Sequence, residues 1–202
     1  MRTAFLLIAA LASAQVHHQH HPPRSADEYA KVLEDPSRDA WQKPHEVIQA
    51  LKLKPADVVA DIGAGSGYFT RRFARHAAKV YAVDIDPALL AKSKGDKIEL
   101  VLATPGDPKL PAAAVDTIFI CDVLHHIDHR DAYYQKLAAA LKPGGRIVIV
   151  DFHKHDLPVG PPAAMKLSSE QVRGELAAAG FRQTAAHSFL PHQYFLEFQR
   201  AR

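Results

Sequence analysis

Val58-Val59-Ala60-Asp61-Ile62-Gly63-Ala64-Gly65-Ser66-Gly67-Tyr68 is the stretch whose reading decides the fold. It opens as a short apolar run of the kind buried on both faces of a parallel sheet, and it passes directly into three glycines at alternate positions. Glycine lets the chain turn tightly and lets a ligand lie against bare peptide groups. A dinucleotide fingerprint, Gly-x-Gly-x-x-Gly, seats a pyrophosphate on a helix N-terminus. Here the spacing is Gly63-x-Gly65-x-Gly67, and an acid, Asp61, stands at the strand end. A carboxylate there repels a pyrophosphate and suits a cationic amino-acid ligand. A second apolar run ends in Val83-Asp84, where a carboxylate can accept both hydroxyls of a ribose.

The same alternation continues along the chain. Strand-like runs at Val58–Ile62, Val80–Val83, Ile98–Leu102, Thr117–Cys121 and Arg146–Val150 are separated by helical stretches at Tyr68–Ala77, Pro87–Lys92, Arg130–Leu141 and Ser168–Ala179. Short apolar strands alternating with helices predict a parallel sheet covered on both faces. Phe181–Ser188 and His192–Gln199 read as a terminal antiparallel hairpin joined across Leu190-Pro191. Ahead of the first strand, a helix beginning at Ala26 is broken at Asp35-Pro36, and a second runs from Arg38 to Leu51, interrupted near Pro44.

Three segments together resemble the class I S-adenosylmethionine-dependent methyltransferases: Asp61 to Gly67, Asp84 after the second strand, and Leu141-Lys142-Pro143-Gly144-Gly145-Arg146 before the fifth. The resemblance covers roughly residues 38–200. It implies an α/β, Rossmann-like three-layer sandwich whose seven-stranded sheet is mostly parallel with an antiparallel C-terminal hairpin. It also implies S-adenosyl-L-methionine as cofactor. Asp61, Gly63 and Gly65 would then line its methionine and ribose part, with Ala64 and Gly67 in the same turn. Asp84 would hold the ribose, and Ile85 would pack on the adenine. Relatives follow the third strand with a Gly-Asp pair whose carboxylate meets the adenine amine. Here Leu102-Ala103-Thr104-Pro105-Gly106-Asp107 leaves that contact to Asp107 from a longer loop, or to Ala103-Thr104.

Cys121-Asp122-Val123-Leu124-His125-His126-Ile127-Asp128 follows the fourth strand, at the open edge of the sheet where ligands bind. Asp122, His125 and His126 are the candidate catalytic groups, able to orient an acceptor or take its proton, because imidazole titrates near neutral pH. Asp151, with His153 and His155 beyond it, ends the fifth strand on the same edge. Methyl transfer asks the protein chiefly to align the reactants and exclude water, so no motif names the acceptor. Short N-terminal helices point to a small lid and a small-molecule acceptor. Trp41, Gln42, Lys43, Pro44 and Tyr194-Phe195 are its candidate lining.

Composition narrows the classes. With 25 Lys+Arg against 22 Asp+Glu in 202 residues, the charge of +3 is too small to indicate nucleic acid, and 48% apolar content excludes general disorder. A lone cysteine, Cys121, can form neither an internal disulfide nor a thiolate zinc site. Met1-Arg2, an apolar run from Thr3 to Leu11, and Ala12-Ser13-Ala14 read as a signal peptide spanning 1–14. The run is about half the ~20 residues a membrane span needs. Export to the periplasm is the expectation, and cytoplasmic residence if that N-terminus misleads. Residues 15–37 read as an arm with a short helix, the arm carrying His17, His18, His20 and His21, and residues 38–202 as one domain. The competing function is an exported fold that has lost catalysis and binds a ligand or a divalent metal through its histidines. No metal ligands are assigned, and the intact Asp61–Gly67 turn with Asp84 favours cofactor binding.

Overall fold

The computed structural model describes residues 25–201. The signal-peptide and histidine-arm readings lie outside the described residues. Ser25 caps the first helix, α1 (Ala26–Leu33), in a reciprocal capping box with Glu28. A 3-10 turn at Pro36–Arg38 leads into α2 (Asp39–Gln42) and α3 (Pro44–Leu51). The single interrupted helix expected over this region is therefore two helices. Lys43 takes a left-handed φ of 45°, and Pro44 opens α3, where its missing N–H costs nothing.

The sheet begins with β1 (Val58–Ile62) and continues through α4 (Thr70–Phe73), β2 (Lys79–Asp84), α5 (Pro87–Leu90), β3 (Ile98–Leu102) and β4 (Val115–Cys121). Then follow α6 (Arg130–Ala140), β5 (Leu141–Phe152), α7 (Ser169–Ala178), β6 (Phe181–His187) and β7 (Gln193–Arg200). The order across the seven-stranded sheet is β3-β2-β1-β4-β5-β7-β6, with β7 antiparallel to both its neighbours and every other pairing parallel. The expected Rossmann-like α/β sheet with its terminal hairpin is borne out. The chain reverses its direction of travel between β1 and β4, and a crevice opens at such a switch point.

Strand alternation divides the core into two layers. Ile118, Ile120, Ile147 and Ile149 face one way, onto Tyr134 and Leu137 of α6 and Leu176 of α7. Val59, Phe119, Val148 and Val150 face the other way, onto Val47 and Leu51 of α3 and Phe73 of α4. The expected helix Tyr68–Ala77 contracts to α4 because Gly65 and Gly67, at φ of 53° and 97°, keep the preceding residues in a turn. The fifth strand reaches further than expected, to Phe152, which sets Asp151 inside the sheet. Among the described residues no helix is long and apolar enough to cross a membrane.

Candidate active site

A cavity of about 860 Å³ lies over the ends of β1, β2 and β4. Its first half is built from backbone. The N–H groups of Gly63 and Ala64 both donate to the Val83 carbonyl, at 2.8 and 3.0 Å, which ties the glycine turn to the end of β2. Gly63 adopts a φ of 73°, and a Cβ there would stand 2.1 Å from Val123 Cγ2. Asp84 accepts the Gly65 N–H at 2.7 Å on one oxygen and the Asp86 N–H at 2.9 Å on the other. A carboxylate has about four acceptor positions, so two stay open for ligand hydroxyls.

Asp61 is only 3% exposed and accepts the Thr70 hydroxyl at 2.6 Å. Burial, with the charge of Asp84 added, pushes its carboxyl up to about 7, against the opposing pull of Thr70 and Arg38. A cation brought beside it would hold it ionised. Four large apolar side chains stay exposed among the described residues, and three of them, Tyr29, Val32 and Ile85, line this cavity. An acid able to meet a cation, an acid with open acceptor positions and an apolar wall suit the ammonium, ribose and adenine of S-adenosylmethionine. The residues fit the cofactor.

Of the residues assigned to the cofactor, Asp61, Gly63, Ala64, Gly65, Asp84 and Ile85 line the cavity. Gly67 and Asp107 do not. A Cβ on Gly67 would meet Arg71 and the backbone of Ser93, so this glycine is needed for packing behind the turn. Asp107 turns outward to Lys136, at 3.0 Å, while its carboxylate caps the Lys109 N–H at 2.8 Å. Of the two alternatives for the adenine contact, Ala103 and Thr104 line the cavity, with Pro105, and Asp107 does not. Thr104 and Asp107 exchange backbone hydrogen bonds, closing a tight loop that keeps the Asp107 side chain on the outside.

The second half is built from side chains. Asp122 sits at φ 59°, a conformation Asp tolerates better than most residues. It accepts from Gln193 Nε2 and, at 3.4 Å, from Arg38. Gln42 bridges Gln193, at 2.7 Å, and Cys121 Sγ, at 3.3 Å. Burial raises the Asp122 carboxyl to about 6, against the charge of Arg38. Two donors thus hold the Asp122 carboxylate in place. His125 is engaged differently. Its Nδ1 lies 2.9 and 3.0 Å from the two oxygens of Asp151, and the two side chains are 3% and 0% exposed. His126 is exposed, its ring 4.1 Å from that of His125.

Trp41 lines the cavity as expected, and its ring meets Phe152 at 5.7 Å. Tyr194 and Phe195, expected in the lid, are core residues instead, because β7 runs inside the sheet. Gln42 is buried in the bridge, and Lys43 donates to the Phe189 carbonyl. His153 and His155 lie outside the cavity lining, and among the described residues no group of three or more His, Cys, Asp or Glu side chains is placed to hold a metal. The partnership of Asp151 with His125 is not legible in either residue's neighbours in sequence. The parallel register of β4 on β5, Cys121 opposite Val150, is the signal that brings those two strand ends together.

Residues 60–149 match a family described as methyltransferase domain. The demethylmenaquinone methyltransferase of Tropheryma whipplei is 32% identical over 106 residues, 50% of this chain and 44% of that protein. The ubiquinone/menaquinone biosynthesis C-methyltransferase of Burkholderia vietnamiensis is 31% identical over 124 residues, 57% of this chain and 50% of that protein. The chain thus spans about half the length of these curated relatives. Among solved structures, a SAM-dependent methyltransferase from Aquifex aeolicus superposes with a TM-score of 0.81 at 23% identity, over 89% of this chain and all of that one. The glycine turn and Asp84 both lie inside the segment that matches the methyltransferase-domain family, and the chain shares the fold of the Aquifex aeolicus protein.

Proposed function

We propose that the protein is an S-adenosylmethionine-dependent methyltransferase acting on a small, apolar acceptor. The observation that carries this reading is the continuity of the cavity: one space runs from Asp61 and Asp84 past Asp122 and His125 to the rings of Trp41 and Phe152. The two relatives named for quinone methylation support an apolar acceptor. The bound cofactor supplies an electrophilic methyl group on a sulfonium. Asp61 holds the cationic end, Asp84 fixes the ribose and so the direction in which the methyl points, and the apolar wall keeps water from competing for it. No observation favours the metal-binding alternative.

Calorimetric titration of the full chain tests the reading. Micromolar affinity for S-adenosylmethionine is expected, and Asp84→Ala weakens it by about ten- to a hundred-fold, the loss of roughly 1.5–3 kcal/mol from charge-assisted hydrogen bonds. A parent protein that gives no binding heat with S-adenosylmethionine or S-adenosylhomocysteine ends the proposal.

A further inference from the structure

From the juxtaposition of His125, Asp151 and the Trp41–Phe152 wall we infer that His125, held by Asp151, is the general base for a planar, apolar acceptor that takes the methyl group on a hydroxyl oxygen. This rests on the methyltransferase reading and names the acceptor class and the base for it. Nδ1 faces both carboxylate oxygens of Asp151, so Nδ1 carries the proton and the lone pair belongs to Nε2. Among the described residues nothing hydrogen-bonds to Nε2, and His125 lines the cavity. Asp151 also accepts the Phe152 N–H at 2.8 Å, which fixes the carboxylate in turn. The order of groups, acceptor to His125 to Asp151, is that of a base with its orienting acid.

The acceptor's character follows from what surrounds that base. Trp41, Phe152, Pro161 and Met165 line the cavity on this side, and the flap carrying Gly160 lies so flat on the Phe152 ring that a Cβ would stand 2.7 Å from it. A flat, apolar ligand matches this wall. Arg38 is the one lysine or arginine that lines the cavity among the described residues, and it is committed to Asp122, the Leu33 carbonyl and Gln42. No cation is left for a carboxylate or phosphate on the acceptor. One protic group beside His125 remains.

The step balances with the cofactor as sole co-reactant. The acceptor oxygen gives an electron pair to the methyl carbon, the carbon–sulfur pair stays on sulfur as a neutral thioether, and the hydroxyl proton passes to Nε2. One positive charge thereby moves from sulfonium to imidazolium, beside Asp151. Desolvation depresses the basicity of His125, yet the Asp151 hydrogen bond with the charges of Asp151 and Asp122 outweighs it and sets the ring above an ordinary histidine. Lys166 opposes them from the segment before α7, His126 adjoins the ring, Arg38 faces Asp122, and Tyr194 of β7 faces Asp151.

2-Naphthol serves as the probe. With S-adenosylmethionine, the full chain is expected to yield 2-methoxynaphthalene, at a rate that rises with pH as the imidazolium loses its proton. His125→Gln lowers kcat by about a hundred-fold or more while cofactor affinity stays within about three-fold. Asp151→Asn slows turnover and moves the acid limb of kcat/KM to lower pH, because it removes the charge that raises the ring. Independently of turnover, nitrogen-15 NMR of histidine-labelled protein, assigned through His125→Gln, should show Nε2 titrating at a lower pH in Asp151→Asn. Bound cofactor with no methoxy product, or a methyl on ring carbon, overturns the acceptor class. Full turnover in His125→Gln, or an unmoved midpoint in Asp151→Asn, overturns the base. A chain that binds no cofactor fails earlier, at the methyltransferase reading.

Discussion

The two halves of the cavity are made by different means. The cofactor half is mostly local backbone: the Gly63–Gly65 turn, the Val83 carbonyl that ties it down, and two acids at adjacent strand ends. The acceptor half is side chains from five places, with Arg38, Gln42, Asp122, His125, Asp151 and Gln193 joined by bonds that span as many as 151 residues. A site built of backbone is fixed once its turn forms. A site built of distant side chains is fixed only when the whole sheet has closed, and each of its parts can be exchanged separately. The first arrangement suits a ligand common to many enzymes, and the second suits an acceptor that differs between them.

The contrast breaks first where the halves touch, at Gly63 and Val123. Gly63→Ala forces a Cβ to within 2.1 Å of Val123 and holds a non-glycine residue at φ 73°. Overpacking and the left-handed conformation together cost about 2–4 kcal/mol. At this chain length that is a fall of about 5–15 °C in Tm, accompanied by loss of cofactor binding. Gly63→Ala/Val123→Ala should recover part of the Tm in differential scanning calorimetry, since only the clash is relieved. If the single variant melts like the parent, the two halves do not share this contact.

A smaller effect, of opposite sign for stability and binding, is expected at Asp61. Its carboxyl titrates near 7 in the fold against 3.8 ordinarily, so the folded state binds a proton more tightly than the unfolded one. Stability then falls as pH rises from about 4 to about 7, and stays reduced above that. Asp61→Asn removes the loss. Its Tm should exceed the parent's at about pH 8 by a few degrees, with no gain near pH 4, because hydration of the opened site offsets most of the ~4 kcal/mol that a rise from 3.8 to about 7 would give. Calorimetry of the same variant should show cofactor affinity lost. A lower Tm at pH 8 would mean that the buried charge is already paired.

The smallest effect concerns α1, which rests on the glycine turn through ion pairs at the surface. Glu34 meets Arg71 at 2.6 Å and the Ser66 hydroxyl at 2.6 Å, and Asp27 meets Lys92. Exposed pairs of this kind are weak and are screened by salt. Raising sodium chloride from about 0.05 to about 0.5 M should therefore change cofactor Kd by less than about three-fold in calorimetry. A ten-fold change would make this helix part of the binding energy.

Legibility follows the same division. β1, its turn and Asp84 are read from neighbouring residues, because a buried strand followed by alternating glycines carries its own geometry. β3 coincides with its expected bounds, and α6 and α7 depart from theirs by one residue. The placement of Asp107 is not legible, because a carboxylate five residues beyond a strand says nothing about which side of its loop faces the cavity. Lys136, far along the chain, decides it. The His125–Asp151 pair was invisible for a related reason: each residue was a candidate alone, and only the parallel alignment of β4 on β5 makes them partners. Tyr194 and Phe195 looked like lid residues until β7 took its place between β5 and β6.

Cys121 supplies a consequence of another sort. It is the chain's single thiol, 8% exposed, capped by Gln42, and its ionisation is pushed well up by burial. A thiol that cannot ionise reacts with neither disulfides nor alkylating agents at an ordinary rate. Its modification by a reagent of about ligand size therefore clocks the moments when the side chains packed over it, Gln42 among them, move aside. Pulse-labelling, read by the mass of a single adduct, would count those openings without a dye or an introduced cysteine, and a ligand that fills the cavity would slow the clock.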